Sequence, residues 1–461
     1  MTVATLTPRQ QRFLTQLFPG EDCLLRPEQT LVFASDASQL QGCPLAVVRP
    51  QRASQLGEFM AWAQQEQMPV YPRARGSNVV GDCVPDPPGV VVSFLKMNRI
   101  LDLARDDYVA IVEPGVVTAG LQRQAEALGL FYPPDPASVR LSTIGGNVAT
   151  CAGGMRALKY GVTRDYVLGM NVVLPGGQNI RLGGRTHKNV VGLDLVRLFV
   201  GSAGTLGLMS EITLKLLPRP EATVSLLAAF ADLAHAVEAG TAIFAAGILP
   251  AALEFMNRTT LDCLARRAPL PWPEPAEAAL LIQLDGSRDA LGHDLQRLRR
   301  VVASHAPLTL LPANEPEAEH ALWDLRRSIH SACFACKPDK LSDDITLPRG
   351  RLKDAVLGIR DIALARTLAI PVFGHFGDGN LHVNIMHDAA DPAELSRARD
   401  ARAEVTDLTL RLHGTLSGEH GIGLTKLPSL DRQLGPLERE LMRRVKHVFD
   451  PCGIMNPGKG F

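Results

Sequence analysis

Three glycine-rich runs, spaced between short β-branched segments, constrain this chain more than any other feature. They are Arg73-Ala74-Arg75-Gly76-Ser77-Asn78-Val79-Val80-Gly81, then Thr143-Ile144-Gly145-Gly146-Asn147 leading into Ala152-Gly153-Gly154, then Gly201-Ser202-Ala203-Gly204-Thr205-Leu206-Gly207. Glycines of this kind let main-chain N–H groups approach a phosphate closely, and neighbouring hydroxyls add donors. Taken singly, each run is more often a tight turn or bulge than a ligand loop. None is a GxxxxGK[ST] loop, and none is a GxGxxG opening a βαβ unit. An ATP loop and a Rossmann-bound nicotinamide are therefore disfavoured.

The surrounding pattern is mixed. Val90–Leu95, Val109–Val112 and Met170–Leu174 have the length and branching of strands, and Pro175-Gly176-Gly177 turns the last one back into Asn179–Leu182. Ala53–Gln65 and Thr118–Leu128 carry apolar residues at helical spacing. Leu216-Leu217-Pro218-Arg219-Pro220 is the clearest boundary, because its prolines stop a strand and block a helix start. Beyond it, longer helical patterns (Ala290–His305, Leu352–Leu368) alternate with strand-like Ala279–Leu284, Leu308–Leu311 and Ile370–Phe373. The expected organisation is an α+β domain over 1–218, a second α+β domain over 219–415, and a Gly-rich tail over 416–461. A chain of 461 residues needs at least two cores in any case.

Lys+Arg and Asp+Glu are each 48, so no net charge draws the chain to nucleic acid or anionic lipid. Met1–Gln11 shows no secretory pattern, and the most apolar stretch, 224–253, is broken by Asp232, His235, Glu238 and Pro250. The expectation is a soluble, cytoplasmic protein with no direct membrane insertion, reaching a membrane only through a partner. Eight scattered cysteines suggest reduced thiols, and the CxxC of Cys333 and Cys336 reads as two buried thiols. No cysteine cluster could hold an iron–sulfur centre.

The second chemical feature is Gly374-His375-Phe376-Gly377-Asp378-Gly379-Asn380-Leu381-His382-Val383-Asn384, which places two histidines seven positions apart. Glu419-His420 follows within Ser417-Gly418-Glu419-His420-Gly421. Two imidazoles and a carboxylate suffice to hold a divalent metal with an open position. Trp323–His330 is helical by pattern and carries Arg326, which on the residues alone reads as an ordinary surface charge.

The order of these motifs, Arg73–Gly81, Pro133-Pro134-Asp135-Pro136, Thr143–Gly154 and Gly201–Glu211, resembles the FAD domain of the vanillyl-alcohol-oxidase or p-cresol methylhydroxylase type. The C-terminal half looks like the cap, or substrate domain, of FAD-linked 2-hydroxy-acid dehydrogenases, a family that includes glycolate oxidase catalytic subunits and D-lactate dehydrogenases. The resemblance implies a two-lobed FAD domain plus an α+β cap with an antiparallel sheet, the tail 416–461 returning to the FAD domain. It assigns Arg73, Ala74, Arg75, Gly76, Ser77, Asn78, Asp135, Thr143, Gly145, Gly146, Gly153, Glu211, Ile212 and Asn456 to FAD. His375, His382 and Glu419 would bind zinc or a similar divalent metal. His420 would be the general base, Asn384 a substrate contact, and Arg326 the anchor of the substrate carboxylate.

The implied reaction is oxidation of an (R)-2-hydroxy acid to the 2-oxo acid, with hydride passing to flavin N5. The runner-up in the same class is D-2-hydroxyglutarate dehydrogenase, although His330 stands where those enzymes have threonine. Lys337 or Lys340 would add a cation. Electrons would leave to an iron–sulfur subunit or an electron-transfer flavoprotein. Family members commonly read Arg-Gly-x-Gly-Thr where this chain has Arg73-Ala74-Arg75-Gly76-Ser77, so Ala74 requires a negative φ. No histidine stands in that loop, and FAD is expected to be non-covalent. A metal-dependent hydrolase and a non-catalytic FAD subunit are the competing classes. The glycine runs argue against the first, and the intact His/His/Glu set argues against the second.

Overall fold

The computed structural model describes residues 5–267, 271, 276–313 and 315–461. The first four residues of the N-terminal stretch read above lie outside these. The chain divides into two units. One comprises Met1–Gly153, Val162–Arg219 and Glu419–Phe461, the other Gly154–Gly161 and Pro220–Gly418.

Two main sheets build the first unit. A four-stranded sheet runs in the order Cys23–Leu24, Pro44–Val48, Gly89–Ser93, Val70–Arg73, the last three strands parallel. Parallel strands need a crossover, and helix Ala53–Gln65 links Pro44–Val48 to Val70–Arg73, the two strands that flank Gly89–Ser93. Its Leu56, Phe59, Met60 and Ala63, at i, i+3, i+4 and i+7, pack on Val48, Val70, Val90 and Val92. The strand expected over Val90–Leu95 stops at Ser93, because Phe94–Lys96 tightens into a 3₁₀ turn. The second sheet is antiparallel, in the order Ile100–Ala104, Val109–Val112, Leu208–Lys215, Val167–Val173, Asn179–Gly183. The tail is not all turns. Pro436–Phe449 is a helix, opened by proline and bounded by glycine on its N-terminal side. Its Phe449 meets Phe199 edge-on at 5.2 Å.

The second unit is organised by one seven-stranded antiparallel sheet, ordered Thr309–Ala313, Ala222–Phe230, Ala278–Gly286, Ala252–Asn257, Val372–His375, Asn380–His387, Asp339–Thr346. Side chains alternate between faces with period two. Val224, Leu226, Ala228 and Phe230 enter one core, which helices Leu233–Ala245, Arg288–Ala303, Leu352–Arg366 and Pro392–Arg411 cover. Leu227 and Ala229 enter the other, under helices Arg258–Ala265 and Pro316–Cys333. Burial on both faces explains the nearly continuous apolar run near residue 224. Among the described residues no helix is long and apolar enough to cross a membrane.

One sequence expectation is corrected here. Cys336 is not a free thiol: it is disulfide-bonded to Cys263, with the Cα atoms 6.0 Å apart. The two cysteines are 73 positions apart and meet because helix Arg258–Ala265 packs against helix Pro316–Cys333. Sequence spacing could not show this. Cys333 remains a buried free thiol.

Candidate functional site

In the first unit the strand Val70–Arg73 delivers the chain into the first glycine run. Arg73 is buried; its guanidinium lies 5.6 Å from the Phe33 ring centroid and donates to the Cys83 sulfur at 3.4 Å. It folds back under Gly76, where a Cβ would collide with it, and Gly76 has a φ of +68° that other residues rarely adopt. Arg73 therefore shapes the loop from beneath. Ala74 keeps a negative φ, as its position requires, and faces Gly146: a Cβ there would sit 3.4 Å from the Ala74 Cβ. Arg75 is exposed, and Ser77 is half-buried.

Asn78 organises the turn that follows. Its Oδ1 accepts from the Val80 and Asp82 N–H groups at 2.9 and 3.2 Å, and its Nδ2 donates to the His420 carbonyl at 3.4 Å. The second run begins where Thr143 caps the short helix Ile144–Thr150 by accepting from the Gly146 N–H at 3.4 Å. Gly145 donates to the Pro114 carbonyl at 2.8 Å, and a Cβ on it would meet Pro114 at 2.5 Å. The third run joins the second through Gly201 N–H to Val148 C=O and Ala203 N–H to Ala149 C=O, at 2.9 and 2.8 Å. Asn456 then ties the tail to both ends of the cradle, donating to the Asp82 and Ala203 carbonyls at 2.8 and 2.6 Å. A Cβ on Gly153 would lie 2.9 Å from Glu419 Oε2.

This unit thus gathers Arg73–Asn78, Thr143, Gly145, Gly146, Gly153, Asn456 and the Glu419-His420 pair around one set of loops. Asp135 is buried in the neighbouring Pro-rich turn, whose Tyr132 and Pro134 carbonyls accept from Gln122. Glu211 and Ile212 lie apart from the loops, in mid-strand. Glu211 accepts from Asn171 at 3.1 Å, and Ile212 is fully buried between Val112 and Met170. The residues fit an organic phosphate cofactor. The cradle leaves no room for side chains at Gly145, and the buried Asn456 Oδ1 and Tyr132 hydroxyl have no hydrogen-bond partner among the described residues. Such groups suit a polar ligand or an ordered water.

Asp82, beside this loop, has its carboxyl pushed up to about 7, chiefly by burial and then by Asp36. Lys459, buried over the Tyr71 ring, is lowered by burial.

In the second unit the sheet's period of two sets the site. Glu254, Phe373, His375, His382, Asn384 and Met386 share one face with Leu227 and Leu281, while Leu253, Phe255, Val372, Leu381, Val383 and Ile385 take the other. The Gly374–Asn384 motif is a tight hairpin. Gly379, at φ +89°, abuts the Leu347 carbonyl, where no Cβ could fit. The expected strand Ile370–Phe373 runs instead from Val372 to His375, so His375 ends the strand itself. Seven positions of sequence become a ring-centroid separation of 5.3 Å, the His375 and His382 rings lying edge to face.

Arg326 is no surface charge. It lies on the buried stripe of its helix with Trp323 and Ile329 and is 5% exposed. Its Nε and Nη2 both donate to Glu254 Oε2, at 2.6 and 2.5 Å, and its guanidinium sits 5.1 Å from the Phe373 ring centroid. Glu254 Oε1 in turn lies 2.7 Å from His375 Nδ1. Burial pushes the Glu254 carboxyl upward, but Arg326 and His375 outweigh it and hold the group at about 2. Sequence reasoning missed Glu254. Its signal was a lone charge inside the apolar strand Ala252–Asn257.

Asn384 accepts from the Ser342 hydroxyl at 2.6 Å. Lys337 pairs with Glu394 at 3.0 Å, while Lys340, opposite Met386 in the sheet, lies 3.1 Å from His330 Nδ1, and burial lowers its pKa. Asp344, also missed, is fully buried and accepts from Ser417 and from the Gly418 N–H at 3.1 and 3.0 Å. The chain then continues directly into Glu419-His420.

Comparison with known proteins finds two matching families. Residues 44–183 match the family described as FAD binding domain, and residues 219–460 match FAD linked oxidases, C-terminal domain. The glycolate oxidase subunit GlcD of Bacillus subtilis (strain 168) is 40% identical over 94% of this chain and 92% of its own length. The D-lactate dehydrogenase of Anaerostipes hadrus is 33% identical over 90% and 89%. Among solved structures, p-cresol methylhydroxylase with substrate bound superposes with a TM-score of 0.81 at 16% identity, covering 99% of this chain and 97% of that one. That likeness shows the fold expected from the sequence. With matches of this extent, the chain belongs to the FAD-linked oxidases and is an FAD-dependent oxidoreductase.

Proposed function

We propose that the protein oxidises a small (R)-2-hydroxy acid, of the glycolate or D-lactate class, to the 2-oxo acid. The observation that carries this reading is the Arg326–Glu254–His375 chain, which links a buried guanidinium to an imidazole on one sheet face. The names of the curated relatives, glycolate oxidase subunit and D-lactate dehydrogenase, supply the substrate class.

Arg326 binds the substrate carboxylate. Its side-on edge is taken by Glu254, which leaves the Nη1/Nη2 end for a bidentate grip. Asn384, oriented by Ser342, contacts the substrate from the adjacent strand. His420 takes the proton of the 2-hydroxyl as general base, a role suited to imidazole. His375, His382 and Glu419 would hold a divalent metal, zinc or similar. The donor set fits, since two imidazoles and a carboxylate suit such an ion and His375 Nδ1 faces Glu254, as ligating histidines commonly face a carboxylate. A cation there supplies Lewis acidity, which lowers the pKa of an alcohol. FAD would be held non-covalently along the loops from Arg73 to Gly153 with Asp135 and Asn456, and with Glu211 and Ile212 of the adjoining strand, and would supply a two-electron acceptor for the C2 hydride. A partner, an iron–sulfur subunit or an electron-transfer flavoprotein, would take up the two electrons.

Purified protein is expected to be yellow and to bleach anaerobically when glycolate or D-lactate is added. Flavin that stays oxidised with every 2-hydroxy acid in a panel would overturn the reading.

A further inference from the structure

Glu254 has none of the roles assigned above, yet it touches two groups that do. It stands directly opposite His375 on adjacent antiparallel strands and also faces helix Pro316–Cys333, which carries Arg326. We infer that Glu254 is a positioning residue that fixes the His375 tautomer for metal binding and, with its second oxygen, sets the orientation of the Arg326 guanidinium. The inference rests on the proposed roles of His375 as ligand and Arg326 as anchor.

An ionised carboxylate can only accept hydrogen bonds, so the His375 nitrogen 2.7 Å away must carry the proton. The lone pair of that imidazole is thereby confined to Nε2, the atom that would ligate a cation. Carboxylates behind ligating histidines do this generally, and their loss weakens metal affinity about 10–100-fold. The opposite oxygen takes both Nε and Nη2 of Arg326, which fixes the plane of the guanidinium. Cross-strand register sets the first spacing and helix packing the second, so neither depends on a mobile loop. A purely structural ion pair would need only the arginine. The third contact, to His375, gives Glu254 its role at the site.

Flavin-containing enzyme stripped with a chelator and titrated with Co²⁺, followed by absorbance and by metal analysis, tests this. Glu254→Gln keeps the shape but loses the charge, and it is expected to bind Co²⁺ about 10–100-fold more weakly with undiminished flavin content. Glu254→Asp keeps the charge but withdraws it by one methylene, so it cannot span both partners. It is expected to show the same loss, and it carries the test should the first variant fail to fold. Equal Co²⁺ affinity in wild type and a folded variant would overturn the positioning role while leaving the metal reading intact. A wild-type protein that takes up no Co²⁺ would remove both.

Discussion

Replacing Arg326 with alanine is expected to lower both stability and kcat/KM. The stability effect follows from burial. Glu254 is fully buried and Arg326 nearly so, and removing one partner of such a pair leaves an uncompensated charge, at a cost of about 3–5 kcal/mol. Folded Glu254 titrates at about 2 against an ordinary value of 4.5. The stability tied to its ionisation is therefore present above about pH 4.5 and is lost as pH falls through about 2. The catalytic effect follows from the proposed role of Arg326 as the carboxylate anchor. A hydrogen bond to a charged group contributes about 1.5–3 kcal/mol, so kcat/KM for carboxylate substrates should fall by about one to two orders of magnitude, chiefly through KM. Thermal unfolding and steady-state kinetics read the two separately. An unchanged melting temperature would contradict the buried pair, and an unchanged kcat/KM would reassign the carboxylate anchor.

His420→Ala separates chemistry from cofactor binding. The contact between residue 420 and the flavin-side loop that the hydrogen bonds reveal is made by its backbone carbonyl, which accepts from Asn78. The substitution leaves that carbonyl in place, so the protein should purify with its full flavin content. Loss of a general base removes about 10²–10⁴ of the rate. The expected result is yellow protein whose flavin is reduced by hydroxy acid at least about a hundred times more slowly. An unaffected reduction rate would take His420 out of the mechanism, and a colourless preparation would show that its side chain supports the flavin loops instead.

Much of this was legible in the sequence because it is local. Helix Ala53–Gln65 repeats its apolar residues every three to four positions, and the hairpin of Gly374–Asn384 is specified by its own glycines. The three glycine runs were visible, although only packing shows that Gly201 and Ala203 bond to the helix of Gly145 and Gly146. What escaped the sequence depends on distant partners. The Cys263–Cys336 bond spans 73 positions, and no spacing rule reaches that far. Arg326 looked like any charge on a helix, because its burial comes from a strand some 70 residues away carrying Glu254. Glu254 was overlooked for the complementary reason: without Arg326 and His375 in view, one glutamate among apolar residues carries no meaning. The helix Pro436–Phe449 was obscured by the glycines around it, which suggested turns throughout the tail.

We propose that His375, His382 and Glu419 hold one divalent cation. Diffraction from crystals of the metal-loaded, flavin-containing enzyme, recorded at the metal's absorption edge, measures this directly. The expected result is a single anomalous peak within ligand distance of all three side chains and beside the isoalloxazine ring. Fully occupied flavin with no peak there, or with the peak on other residues, would contradict the account.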